Sequence, residues 1–428
     1  MKTPKYFKHE STLQNIEEYT YTKNGLKILY IHVPACDTVA SNIVYLVGSR
    51  HEVNGKTGIA HMLEHMMFKN TKDINGKKVT PPRHIPLQNK GALLNASTWT
   101  DRTNYYYVMP SEYLGEMLQA ESERMRGLIL TPKEFKPEQQ NVLSEYEMYA
   151  DRPDFVLNTA LTTGAFVSHG YGHETIGHRN DIENLTCEDL KDFYNTYYWP
   201  NNAYLIITGD IERDQVFHLV DTHFSHIPHS PQPIPQYTVV EPPSYGLRTV
   251  SITRSNSVTL TSLAYRAPGM RQTEWVTAYM LFTYLAGGKL SPLYKKLVET
   301  HKASSISPSL MPSYDPYLMS LTATVTQGVS ALEVQKVIQE QIEQVRLFPI
   351  GEKDLTRMKN KLLAEILYDR DGAHALAREL TEYVAAGDWK QFHTMLPAIE
   401  KVESKDIQVF AEKWCTNENL IIGTFKGV

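Results

Sequence analysis

The sequence predicts an α+β fold used twice, as two similar α/β-sandwich domains related by internal duplication. Three observations carry this. The run GLKILYIHV (25–33) is echoed by YGLRTVSITR (245–254), and LIITGDIE (205–212) by LIIGTFKG (420–427). Within each half, long stretches of helical period lie between these strand-like runs. Between the halves stands SHIPHSPQPIPQYTVVEPPSYG (225–246), whose six prolines mark an extended linker. The predicted division is a first domain at 1–228, a linker at 229–246 and a second domain at 247–428. The 428 residues are enough for two cores at roughly 100–200 residues per domain.

The elements follow in order. Asn24-Gly25 turns the chain into the first strand, and ASNIVYLVGS (40–49) reads as the next. A short segment, GIAHMLEHMMFKN (58–70), precedes a Lys-rich polar loop, TKDINGKKVTPPRH. GALLNASTWTDRTNYYYVM (91–109) reads as strand, turn, strand. Residues 112–130 and 132–152 have helical period, the second with Pro132 suited to a first turn. CEDLKDFYNTYY reads as a helix and AYLIITGDI (203–211) as a buried strand. In the second half, VTLTSLAYRAPG (258–269) reads as a strand like 40–49, and EWVTAYMLFTYLAGG (274–288) as a long helix.

Composition narrows the function. Hydrophobic residues at 42% and charged residues at 21% describe a globular chain. A net charge of −5 with no dense Lys/Arg block argues against nucleic-acid binding. No run approaches the ~18–20 apolar residues of a membrane span. Cys36, Cys187 and Cys415 are far apart, with no CxxC, and read as free thiols. The N-terminus has no signal-peptide core, so the expected compartment is cytoplasmic as the sequence stands, or periplasmic if a leader has been removed.

The chemistry starts at GIAHMLEHMMFKN. On a helix, His61 and His65 are i and i+4 and share a face, with Glu64 beside them. Ile59, Ala60, Met62, Leu63, Met66 and Met67 cover the rest, so the helix is buried nearly all round. A buried carboxylate without a partner costs several kcal/mol or takes up a proton. A divalent metal held by the two imidazoles would compensate it. Two His at this spacing are more often structural, but HxxEH is the mirror of the HExxH zinc-protease pattern. In 132–152, Phe135, Val142 and Tyr149 lie seven apart on the apolar face, and Glu138 and Glu145 fall along the same seam. A solvated helix face accounts for Glu134 and Glu147 but not for that inward pair. Catalytic zinc commonly takes three protein ligands, and one of the two glutamates would complete the set with His61 and His65. A second histidine group, His169, His173 and His178 in HGYGHETIGH, sits in a Gly-rich loop that offers a metal no stable frame, and reads as structural or as a substrate edge.

HxxEH followed about 80 residues later by ExxxxxxE on a helix resembles the signature of the pitrilysin-type (inverzincin) zinc metallopeptidases. These include insulysin and the mitochondrial processing peptidases. The resemblance covers nearly the whole chain, through VGSRHEVNGKTGIAHMLEHMMFKNT, GALLNASTWTDRTNYYYV, EFKPEQQNVLSEYEM and GYGHETIGHRNDIENLTCEDLKDFYNTYYWPNNAYLIITGDI. It implies one zinc ion per chain, with His61, His65 and Glu145 as ligands, Glu64 as general base and Glu138 as an auxiliary glutamate supporting the site. It also makes Asn95, Ala96 and Ser97 part of a strand that pairs with substrate backbone. The fold it implies is half of a clamshell, and the reaction is hydrolysis of peptides or unfolded segments.

One family feature is missing. Many relatives carry LREKxGLAY in the second domain, whose Arg and Tyr help at the active site. The matching stretch here is LVETHKASS, with Val298 and Ser305 at those positions. The expected partner is therefore a second subunit, in a dimer or in a heterodimer with a homologous Arg/Tyr-bearing chain. The alternatives are a self-sufficient homodimer and a non-catalytic structural or zinc-binding relative.

Overall fold

The computed structural model describes residues 4–73 and 76–428; Ile74 and Asn75 of the Lys-rich loop, like the first three residues, lie outside the described residues. The chain forms two compact units, one of Met1–Glu145, Thr175–Thr238 and Tyr368–Phe392, the other of Tyr146–Glu174, Val239–Leu367 and His393–Val428.

The first unit is built on a seven-stranded sheet. Its strands are β1 (Phe7–Leu13), β2 (Ile16–Tyr21), β3 (Leu26–His32) and β4 (Val39–Tyr45), followed, after a separate short pair β5 (Thr71–Lys72) and β6 (Val79–Thr80), by β7 (Leu93–Thr98), β8 (Thr103–Met109) and β9 (Ala203–Gly209). They lie in the order β1-β2-β3-β9-β4-β8-β7, with β3 and β9 parallel and every other neighbouring pair antiparallel. All seven residues of β4 are buried, because helices cover both of its faces. Over one face, Arg124 of the helix Leu114–Gly127 stacks on the Tyr105 ring at 4.3 Å. Over the other, Asn42 donates to Thr381 of the helix Ala373–Ala385 at 2.5 Å, and Thr208 donates to the Ala373 carbonyl at 2.6 Å.

The second unit repeats the plan with five strands, β10 (Arg248–Arg254), β11 (Thr259–Ala267), β12 (Ala303–Leu310), β13 (Tyr317–Val325) and β14 (Leu420–Gly427). Their order is β10-β14-β11-β13-β12, with β10 and β14 parallel and the rest antiparallel. Order and direction match β3-β9-β4-β8-β7 strand for strand. The echoed runs occupy equivalent places: 25–33 and 245–254 are the β3 and β10 strands, and 205–212 and 420–427 contain β9 and β14. The internal duplication is thus present in the topology.

The units are not consecutive stretches of chain, which corrects the simple division at 1–228 and 247–428. The helix Pro153–Ala165 belongs to the second unit, where Leu157 and Leu161 pack with Ile421 and Phe425 of β14. In mirror fashion, Ala373–Ala385 belongs to the first. Each sheet is therefore covered by one helix from the other half of the sequence. The unit boundary at Thr238/Val239 falls inside the Pro-rich segment. The end of that segment is tied down: Glu241 accepts from the backbone N–H groups of Val167, Ser168 and His169 at 2.8–2.9 Å and pairs with Arg266 at 3.2 Å.

Candidate active site

The motif segment folds as a two-turn helix, Ile59–Met66. Its start is set by Gly58, at φ +86°, where a Cβ would stand 2.3 Å from the Ile176 carbonyl oxygen. The Glu52 carboxylate accepts from the Gly58 and Ala60 N–H groups at 2.8 and 2.9 Å, satisfying two of the helix's free donors. Burial pushes the Glu52 carboxyl up to about 8 in spite of these bonds. Ile59, Ala60, Met62, Leu63 and Met66 are buried, and His61, Glu64 and His65 form the one partly open stripe.

The second helix runs Pro132–Ala150. Phe135, Gln139 and Val142 are its buried anchors, and Glu138 and Glu145 are half-buried on the same side. Gln139 fixes the helix by donating to the carbonyls of Ile182 and Leu185 at 2.7 and 3.1 Å. Glu134, read from sequence as a solvated residue, is half-buried and accepts from Asn70 at 3.0 Å.

Together these helices bring His61, His65 and Glu145 to one point. The Glu145 Oε2 atom lies 3.8 Å from His61 Nε2 and 3.5 Å from His65 Nε2. Among the described residues this is the one group of three His, Cys, Asp or Glu side chains whose ligand atoms all lie within 4.8 Å. Donors bound at about 2.1 Å around a tetrahedral ion stand about 3.4 Å apart, so two imidazoles and a carboxylate at these separations fit zinc with its fourth position open. His169, His173 and His178 do not form such a group. His169 bonds Asp315 at 3.2 Å, and His173 bonds the Glu174 carbonyl at 3.0 Å.

Charge is arranged to suit. Burial and the neighbouring His65 imidazole hold His61 down to about 4, so it is neutral and its ring nitrogen is available at neutral pH. Burial opposes charge on His65 as well, but Glu145, Glu64 and Glu138 outweigh it and raise its pKa. Burial raises the Glu64 carboxyl, opposed by a hydrogen bond from Thr98 Oγ1 at 2.6 Å. Glu138 approaches His65 Nδ1 at 3.4 Å and forms an ion pair with Lys69. A carboxylate at Nδ1 fixes the ring so that Nε2 faces the ligand point. His61 Nδ1 is buried and has no hydrogen-bond partner among the described residues.

Glu52, Lys69 and Thr98 were not singled out from the sequence. A signal existed for two of them. Lys69 is i+4 from His65, and Thr98 is two residues beyond Ala96 and therefore on its face of the strand. The strand itself, with Asn95, Ala96 and Ser97, is β7, the edge of the sheet: it pairs with β8, and no described strand pairs with its outer side. The Asn95 side chain accepts from the Ala96 N–H at 2.9 Å. Val298 ends the helical turn Tyr294–Val298, and Ser305 lies on edge strand β12 of the second unit, bonded to Thr324 at 2.9 Å. No helix among the described residues is long and apolar enough to cross a membrane.

Known proteins place these features. The sequence description of the insulinase family (peptidase family M16) matches residues 27–179, and that of the peptidase M16 inactive domain matches 184–362. The zinc protease PqqE of Helicobacter pylori is 30% identical over 372 residues, covering 86% of this chain and 83% of that protein. The mitochondrial-processing peptidase subunit beta of Saccharomyces cerevisiae is 23% identical, over 91% of this chain and 86% of that one. The crystal structure of a protease from Helicobacter pylori has the same fold, with a TM-score of 0.90 at 27% identity over 98% of this chain and 100% of that one. With the inverted zinc motif, a glutamate helix that meets it and a duplicated sheet plan, the chain belongs to the M16 (insulinase, pitrilysin-type) family of zinc peptidases.

Proposed function

We propose that the chain is a zinc-dependent endopeptidase acting on peptides or unfolded segments, with one zinc ion held by His61, His65 and Glu145. The observation that carries this reading is the convergence of those three ligand atoms beside Glu64, on a helix whose neighbour is an open sheet edge. Bound there, zinc would lower the pKa of a water to about 7 and polarise a scissile carbonyl. Glu64, at the same helical face and oriented by Thr98, takes the water proton and passes it to the leaving amine. Glu138 orients His65, and Lys69 holds Glu138 in place. The outer edge of β7 at Asn95–Ser97 receives an extended substrate as an added strand, where main-chain bonds give affinity with little demand on sequence. The Asn95 side chain gives up the Ala96 N–H as substrate arrives.

The second half lacks the Arg and Tyr of many relatives at Val298 and Ser305. A guanidinium aimed at developing negative charge is worth roughly 3–4 kcal/mol of barrier, by analogy with oxyanion donors. This favours a heterodimer in which a homologous chain supplies the pair, and a relative is indeed named as a subunit. Two measurements test the reading. Cleavage of a quenched unfolded peptide should vanish with chelator and return with zinc. Purification from the native source should bring along an Arg/Tyr-bearing homologue. A fully active homodimer would refute the shared site, and zinc-loaded protein with any such partner but no cleavage would refute the peptidase.

A further inference from the structure

Behind β7, on the sheet face away from Glu64, lies a cavity of about 260 Å³. Cross-strand register defines its floor. Asn95 and Ser97 of β7 stand opposite Tyr106 and Asn104 of β8, and directly opposed residues share a face. Ala96 and Thr98 point to the other face, where Thr98 meets Glu64. The cavity's roof is the helix Ala373–Ala385, through His374, Arg378 and Glu382.

Most polar groups here are committed. Arg102, only 5% exposed, donates to Ser97 Oγ at 2.7 Å and Asn104 Oδ1 at 2.6 Å and forms an ion pair with Glu382. Asn104 donates to Asn42 at 3.0 Å, and Asn42 to Thr381 at 2.5 Å. Such a satisfied network makes a rigid floor. Two groups stand outside it. The His374 ring packs tilted against the Tyr106 ring, centroids 4.8 Å apart, and its buried Nε2 has no hydrogen-bond partner among the described residues. Arg378 lines the cavity from an exposed position. With the Arg102 and Glu382 charges cancelling, the charge left without an ion-pair partner among the described residues lining the cavity is the positive one on Arg378.

We propose that this cavity is a subsite for an acidic side chain of the substrate, read by Arg378. The inference rests on the reading of β7 as the substrate strand. A peptide added to β7 sends alternate side chains to opposite faces: one set toward the zinc helix, the other into this cavity. The specificity is therefore periodic, felt at positions two residues apart.

The test uses the Glu64→Gln protein, loaded with zinc and with any partner chain that co-purifies with it, and fluorescein-labelled unfolded peptides with a single Glu, Gln or Lys scanned along an otherwise neutral sequence; the wild type is prepared in the same way. Anisotropy gives the affinity, and the wild-type protein gives cleavage of the same peptides. Glu should bind about tenfold tighter than Lys at positions two apart, an increment typical of one oriented charge contact. Arg378→Glu should invert that ratio and Arg378→Lys should keep its sign. A preference spread evenly over all positions, or one unchanged by Arg378→Glu, overturns the subsite. Cleavage without discrimination removes the subsite and leaves the peptidase. Discrimination without cleavage does the reverse. Absence of both binding and cleavage overturns both.

Discussion

The two units share one five-strand plan and differ in what fills it. After β4 comes the helix Ile59–Met66, and after the equivalent β11 comes Glu274–Ala286. The first carries His61, Glu64 and His65 on its partly open stripe; the second buries Trp275, Thr277, Ala278, Met280, Leu281, Phe282, Leu285 and Ala286. Further along each unit the contrast repeats. Pro132–Ala150 sets Glu138 and Glu145 among Phe135 and Val142, whereas Glu352–Tyr368 buries Leu355, Met358, Leu362 and Ile366. A sheet of this kind needs its helices to be apolar where they pack. The first unit gives up that apolar surface at five positions, and three of them, His61, His65 and Glu145, meet at one point. Polar groups tolerated inside one copy of a fold, and replaced by hydrocarbon in the other, need a compensation that the apolar copy does not.

That contrast can be broken from either side. The largest effect belongs to Glu64→Gln, which should keep zinc and the fold but lose about 10²–10⁴-fold in kcat on an unfolded peptide, the usual span of general base catalysis. Retained activity would remove Glu64 from the mechanism. Next, Leu362→Glu should lower stability in urea unfolding by about 3–5 kcal/mol, the scale of an uncompensated buried charge, since Leu362 is fully buried among apolar side chains. A neutral result would mean that the second unit tolerates carboxylates as well as the first. Glu138→Gln should weaken zinc binding about 10–100-fold, as loss of a carboxylate behind a ligating imidazole commonly does. Competition with a chromophoric chelator measures it, and an unchanged affinity would reduce Glu138 to a surface residue paired with Lys69. The smallest effect should come from Thr98→Val, about tenfold in kcat with zinc unchanged, for one hydrogen bond to a carboxylate.

Much of this was legible in the sequence, for a physical reason. His61, Glu64 and His65 are neighbours on one helix, so their spacing alone puts them on one face. Glu138 and Glu145 betrayed themselves by standing seven apart on an otherwise apolar seam. The strand order was half-visible, because the echoed runs are the adjacent strands β3 and β9, and β10 and β14. Other features are contacts between distant segments, and local pattern does not encode them. An amphipathic helix such as Pro153–Ala165 or Ala373–Ala385 states that it must bury a face, not which sheet it will choose. The exchange of these two helices was therefore hidden, and so was the cavity that Ala373–Ala385 roofs. Glu52 looks like an ordinary loop residue until the fold brings it to the start of the motif helix.

Zinc on His61, His65 and Glu145 is the proposed compensation for the polar groups of the first unit. Zinc content per chain, measured side by side for the wild type and for Glu145→Gln after dialysis against the same weak chelator, tests it most directly. Close to one zinc per chain is expected in the wild type, with a large loss in Glu145→Gln. Equal zinc in both proteins, or none in either, would contradict it.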